Sequence, residues 1–219
     1  MNVFDIIGPV MIGPSSSHTA GAVRLGRVAW KILGDKVVKA DITLSGSFAQ
    51  TYRGHGTDKA LLAGIMGLQP DDERIRCSPQ LAQERGLVFS FQEKEIPDAH
   101  PNTACIHLIG AQGQETTMVG ASTGGGNILV TEIDQMKVSF SAQHNTLLAL
   151  HWDRPGTVAA VSNYMARAHI NIATFQLSRA KKGGLAIMTL EVDGEVPDEI
   201  LEHLKAFDNF IAIRLIRAA

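Results

Sequence analysis

Apolar residues alternate with a period of two along Ala186, Met188, Leu190 and Val192, and again along Ile211, Ile213 and Leu215, which marks strands with one face buried. Between them, Ile200, Leu204 and Phe207 recur at helical spacing behind Pro197-Asp198, so this segment predicts a helix laying an apolar stripe on a sheet. Upstream the pattern predicts a strand over 146–152, a helix opened by Arg154-Pro155-Gly156-Thr157 and running to about Ala168, a strand over 170–177 and a basic glycine turn at 181–184. With strands over 186–192 and 210–216 the order is βαββαβ, the ferredoxin-like arrangement of helices on one face of an antiparallel four-stranded sheet. The pattern changes character near 142–145, which divides the chain into domains over 1–142 and 145–219.

The first domain is less periodic and richer in turn glycine. Lys39 to Phe48 reads as a strand ending in Ser45-Gly46-Ser47, and Gly54-His55-Gly56-Thr57-Asp58-Lys59-Ala60 opens an apolar helix that ends near Met66-Gly67-Leu68. Leu87 to Phe91 and Ala104 to Ile109 read as strands, the second behind a rigid lead-in of His100-Pro101-Asn102-Thr103. Three glycines at 124–126 precede a strand over 128–133, where their amides can approach a ligand or another chain. That run lacks the trailing Lys-Ser/Thr of a nucleotide P-loop and the strand-to-helix context of a dinucleotide fingerprint. The fold class is α+β: an α/β domain followed by the ferredoxin-like unit.

With 219 residues and 45% hydrophobic content the chain can bury an ordinary core. A net charge of −2, with Lys and Arg scattered, carries no electrostatic footprint for nucleic acid. Met1 to Ile7 is apolar but carries Asp5 and no basic n-region, and no stretch approaches the roughly 18 apolar residues that span a bilayer, so the expected location is cytoplasmic, away from any membrane. Cys77 and Cys105 lack partners at ligand spacing, which supports neither a disulfide framework nor a self-contained zinc or iron–sulfur site.

Candidate chemistry concentrates in residues 8–26, where Gly13-Pro14 stops the preceding segment and Ser15-Ser16-Ser17-His18-Thr19 stands at the mouth of a helix continued by Ala20, Ala22, Val23, Arg24 and Leu25. Hydroxyls and helix N-terminal amides can hold a carboxylate beside a histidine able to move protons. One serine also suits an ordinary N-cap, but one cap does not use so many adjacent donors. His55 between two glycines is either a second site residue or part of a turn.

In the C-terminal unit, Asp153-Arg154-Pro155-Gly156 at the first strand-to-helix turn and Asn171 near the second strand resemble the ACT domain, a small regulatory module that commonly binds amino acids between paired copies. The resemblance implies His151, Asp153, Gly156 and Asn171 as ligand contacts and pairing of ACT domains between copies of the chain. Pro155 and Gly156 equally suit the turn itself.

Taken in order, Gly13-Pro14-Ser15-Ser16-Ser17-His18-Thr19, Gly46-Ser47, Gly54-His55-Gly56-Thr57-Asp58, His100-Pro101-Asn102 and Ser122-Thr123-Gly124-Gly125-Gly126, followed by an ACT-like unit, resemble the beta chains of bacterial iron–sulfur-dependent L-serine dehydratases. Thr123 departs from the pattern, in which an aliphatic residue is expected. The resemblance implies a lyase that converts L-serine to pyruvate and ammonia with a [4Fe–4S] cluster, and an N-terminal fold like the extra substrate-binding domain of some phosphoglycerate dehydrogenases. Such a cluster needs at least three protein thiolates, so two cysteines imply that its ligands sit on a separate alpha chain and that this chain contributes no metal ligand. The expected roles are substrate binding for Ser15, Ser16, Ser17, Thr19, His55 and Gly125, and proton transfer or substrate orientation for His18. No lysine has the context of a pyridoxal-phosphate Schiff base. The rival from another class is a non-catalytic amino-acid sensor that regulates a partner.

Overall fold

The computed structural model describes residues 10–218, and the chain divides into two compact units, Met1–Asp134 and Gln135–Ala219. The opening segment Met1 to Ile7 lies outside the described residues. Among the described residues no helix is long and apolar enough to cross a membrane.

In the first unit a turn of π-helix over Ser16–Gly21 runs directly into α1 (Ala22–Leu33). Then come β1 (Val37–Gly46), α2 (Ser47–His55), α3 (Thr57–Ile65), a 3-10 turn over Glu73–Cys77, α4 (Ser78–Glu84), β2 (Val88–Glu93), β3 (Asn102–Gly110), β4 (Glu115–Gly124) and β5 (Asn127–Ile133). The strands lie in the order β2-β1-β3-β4-β5, with β1 parallel to β2 and every other pair antiparallel. Helix α1 buries Val23, Leu25, Val28 and Ala29 and packs on α3, β3 and β4, and Gly120 in β4 leaves the room that the Leu25 side chain fills.

Helix α3 is buried nearly all round, from Ala60 through Ile65, as expected of a helix enclosed by protein. It meets α1 at two glycines. A Cβ on Gly26 would strike the Leu61 carbonyl and the Ile65 amide, and one on Gly64 would strike the Val23 carbonyl and the Arg27 amide. The helices therefore touch backbone to backbone.

The strand expected over 39–48 ends at Gly46, and Ser47 and Phe48 instead begin α2. Gly46 turns the chain at φ +57°, where a Cβ would lie 2.6 Å from the Pro101 carbonyl oxygen, and the Phe48 amide donates to that same oxygen at 3.3 Å. The His100-Pro101-Asn102 lead-in is thus the other half of this turn.

The second unit contains β6 (Met136–Phe140), β7 (Asn145–Trp152), α5 (Thr157–Arg167), β8 (Ile172–Arg179), β9 (Leu185–Val192), α6 (Asp198–Lys205) and β10 (Phe210–Ile216). From β7 onward this is βαββαβ, and the four strands form an antiparallel sheet in the order β10-β7-β9-β8. Its core joins Leu147, Ala149, Val161, Met165, Met188, Leu190, Leu204 and Ile213. The compact units divide after Asp134 rather than at 142–145, because β6 packs on β8 and β9.

Two expectations about this unit are corrected. Strand β9 is buried on both faces, including Ile187, Thr189 and Glu191, rather than on one. Ile211 and Phe207 are exposed: the pairing of β10 with β7 slips between Phe210 and Ala212, and α6 ends at Lys205 before Phe207 is reached. The buried carboxylate of Glu191 is satisfied by three donors, the Ser141 amide (3.0 Å) and hydroxyl (2.9 Å) and the Thr174 hydroxyl (3.0 Å).

The glycines make a test by sign. Gly64→Ala should destabilise the chain by about 1–3 kcal/mol through overpacking, although alanine is the better helix former. Gly54→Ala, with nothing within 4 Å of the added Cβ, should be neutral or mildly stabilising. Gly156→Ala also enters open space, but its φ of +90° should cost about 1–2 kcal/mol. Urea unfolding of the three variants reads the ranking, and a stabilised Gly64→Ala would refute the helix contact.

Candidate functional site

The Ser-Ser-Ser-His-Thr segment folds as a capped π-helical turn. Gly13, at φ +142°, packs so tightly on the Thr19 side chain that no Cβ fits there. Ser15 is extended (φ −140°, ψ 125°) and is the N-cap, its hydroxyl accepting from the His18 amide at 3.2 Å while its carbonyl accepts from Thr19 at 2.9 Å. One serine therefore serves as the cap. Among the described residues no side-chain hydrogen bond engages the Ser16 or Ser17 hydroxyl, and both residues are partly accessible.

The His18 ring is half-buried between two hydroxyls, with Nε2 3.3 Å from Ser47 Oγ and Nδ1 3.4 Å from the capping Ser15 Oγ. A neutral imidazole serves both, donating from one nitrogen and accepting at the other. Its ring stands edge-on to Phe48 (centroids 5.2 Å apart) and to His55 (4.8 Å). Burial pushes the His18 pKa below the ordinary histidine value, the positive charge of His55 lowers it further, and a hydrogen bond with Ser47 opposes both. A neutral imidazole near pH 7 is the form that accepts a proton.

The fold thus brings Ser15, Ser16, Ser17, His18, Thr19 and His55 together from the start of α1 and the end of α2, and adds Ser47 and Phe48. Gly125 is exposed at the tip of the β4–β5 hairpin with φ +59°. That hairpin is tied to the turn by Ser122, against which Gly21 packs too closely for any Cβ, and by Arg24 Nη1 donating to the Gly126 carbonyl at 3.0 Å. Three hydroxyls around the turn, on Thr19, Thr57 and Ser122, are buried without a hydrogen-bond partner.

Beside the turn, a cleft of about 260 Å³ carries Thr19, His55 and the cationic side chains of Arg53, Lys59 and Arg76. Sequence reasoning missed all three cations. Arg53 and Lys59 flank the Gly-His-Gly segment and could have been noticed, whereas Arg76 arrives from a distant 3-10 turn that the sequence pattern does not announce.

The four positions carried over from the ACT resemblance are engaged in the fold of the second unit. Asp153 Oδ2 accepts from the Gly183 amide (3.0 Å) and from Arg179 Nη1 (2.6 Å), and these bonds hold its carboxyl below the usual range. Asn171 donates to Asp193 at 2.8 Å, and Gly156 supplies the left-handed turn before α5. His151 is buried, with Nδ1 2.8 Å from the Trp152 carbonyl and Nε2 without a partner.

Cys77 is exposed and Cys105 half-buried, both as free thiols, and among the described residues no three His, Cys, Asp or Glu side chains gather as a metal site. This donor set does not fit an iron–sulfur cluster.

The C-terminal unit is an ACT domain: the model of that domain matches residues 146–209, while the model described as serine dehydratase beta chain matches residues 2–87. The chain is 43% identical over 215 residues to the probable L-serine dehydratase, beta chain, of Bacillus subtilis (strain 168), covering 98% of this chain and 97% of that one. It is 32% identical over 216 residues to the L-serine dehydratase, beta chain, of Peptoniphilus asaccharolyticus, with the same coverage of each, 98% and 97%. The chain belongs to the L-serine dehydratase beta-chain family. It is also 28% identical to the D-3-phosphoglycerate dehydrogenase of Archaeoglobus fulgidus over 193 residues, which is 87% of this chain but 36% of that enzyme.

The charge coupling gives a pH test. The His18 imidazole should titrate below 6.5 in NMR, and His55→Gln should move its midpoint upward by removing one cause of the shift. Because the unfolded chain takes up this proton first, His18 withdraws stability as pH falls below the unfolded value of about 6.5. An unchanged midpoint in His55→Gln would remove the coupling.

Proposed function

We propose that this chain is the beta subunit of an L-serine ammonia-lyase that converts L-serine to pyruvate and ammonia in partnership with an alpha chain. The observation that carries the reading is His18, held neutral between the Ser15 and Ser47 hydroxyls and beside His55, in a family whose members are named for L-serine dehydration. The [4Fe–4S] cluster of the iron–sulfur-dependent enzymes is assigned to the alpha chain, because the donors here do not suit it.

Within this subunit the Ser16 and Ser17 hydroxyls are uncommitted donors for the substrate carboxylate. His18 is the group to accept the Cα proton of serine, since its lowered pKa keeps a lone pair available near neutral pH. Loss of that proton and of the C3 hydroxyl as water yields 2-aminoacrylate, which tautomerises to the imine and is hydrolysed to pyruvate and ammonia.

Expressed alone, the chain should fold and show no serine turnover; purified anaerobically with its alpha chain, it should form pyruvate from L-serine. In that complex His18→Ala should lower kcat by about a hundredfold or more, the scale of a positioned proton transfer. Ser16→Ala should mainly raise KM, by roughly ten- to a hundredfold, as expected for one hydrogen bond to a charged group. Wild-type values for both variants would reduce the turn to a capped helix start.

A further inference from the structure

The basic cleft beside the turn has a composition that a serine site does not require. Its cations come from three elements, Arg53 near the end of α2, Lys59 in the first turn of α3 and Arg76 in the 3-10 turn, and among the described residues no acidic side chain lines it. Arg53 is held in place, its Nε donating to the Tyr52 hydroxyl at 3.0 Å and its guanidinium lying 5.4 Å from the centre of that ring. Among the described residues none of the three forms an ion pair with a carboxylate. Asp58 and Glu93 act on Arg53 from outside the lining, and the three cationic groups that line the cleft itself favour a bound anion.

Two further observations point the same way. Thr19, 2% exposed, has a hydroxyl with no hydrogen-bond partner and belongs to the cleft lining. Gly54 also lines the cleft, has a helical backbone that any residue could adopt, and would meet nothing within 4 Å if it carried a Cβ. Neither backbone strain nor packing accounts for glycine there, and its absent side chain leaves space open on the cleft wall.

We infer that the cleft formed by Arg53, Lys59 and Arg76 against Thr19 and His55 is a binding site for a small multivalent oxyanion, an inorganic phosphate or a small phosphate monoester. Charge decides the class. A serine zwitterion offers one carboxylate and carries an ammonium that three cations repel, whereas a phosphate dianion uses the guanidinium and ammonium donors together. At about 260 Å³ the cleft suits a small anion. An anion here sits against His55, whose ring is 4.8 Å from that of His18, so it changes the field at the proposed proton acceptor without occupying the Ser16 and Ser17 hydroxyls.

The test needs no turnover and is independent of the proposed reaction. Inorganic phosphate is titrated into the full chain at constant ionic strength set by chloride, with the His55 C2 proton followed by NMR and the heat by calorimetry. The expected result is a saturable His55 shift and a matching heat, with the dissociation constant raised about tenfold or more in Arg76→Gln and further in Lys59→Gln/Arg76→Gln. Both positions are on the surface, circular dichroism checks their folding, and Arg76→Gln alone decides if the double variant unfolds. A small phosphate monoester binding more tightly than phosphate would identify the ester as the ligand within this class. No saturation at millimolar phosphate, an equal response to chloride, binding undiminished in Arg76→Gln, or displacement of phosphate by L-serine would each overturn the inference.

Discussion

The backbone contact between α1 and α3 at Gly26 and Gly64 is the constraint on which the site depends. His18 lies on the π-helical turn that feeds straight into α1, and His55 ends α2 two residues before α3, so the two rings sit at the N-terminal ends of helices whose mutual approach leaves no room for a Cβ. A larger residue at either glycine would push the helices apart and lengthen the 4.8 Å separation on which the His18–His55 coupling rests. Helix packing and proton affinity are in this sense one property, since Coulomb coupling falls with distance.

A second ring of contacts fixes the turn from the other side. Gly46 bends β1 into α2 against the Pro101 carbonyl and so delivers Ser47 to His18, while Ser122 closes on Gly21. These are places where a side chain would collide with backbone or with a buried hydroxyl, so the glycines and small residues of the motifs serve close approach. The hydroxyls left unpaired by this packing, on Thr19, Thr57 and the β4 residue Ser122, lie around the turn. Buried polar atoms without partners are expensive in a core and are tolerated where a site is built.

Legibility of the sequence followed periodicity. The ACT unit was readable to within a few residues at most element ends because β7, β9 and α5 repeat at strand and helix spacing around one core. Helix α2 was read partly as strand because Ser47-Phe48-Ala49-Gln50-Thr51-Tyr52 has no apolar stripe, and what ends β1 is a tertiary contact with Pro101 that local pattern does not contain. Strand β6 and the second buried face of β9 were missed for a related reason: Glu191 reads as a solvent-facing residue until its three donors from Ser141 and Thr174 are seen. In the candidate site the motif located His18 and its serines, but Arg76 is placed by the fold alone.

The two units differ in what their polar groups have left to offer. In the turn, Ser16 and Ser17 are uncommitted donors and His18 makes only long contacts of 3.3 and 3.4 Å, so a ligand gains bonds there without breaking strong ones. In the ACT unit, Asp153 and Asn171 already hold the turn at Gly183 and the loop at Asp193, and recruiting them to a ligand means giving up charge-assisted bonds of 2.6 and 2.8 Å. His151 is the exception, and its chemistry is directional. Nδ1 donates to the Trp152 carbonyl, which leaves Nε2 of the neutral ring an acceptor with no hydrogen to give. With the ring uncharged that atom suits an N–H or O–H donor, whereas Ser16 and Ser17 in the turn offer hydroxyl donors, so the two positions present opposite hydrogen-bonding chemistry to a ligand.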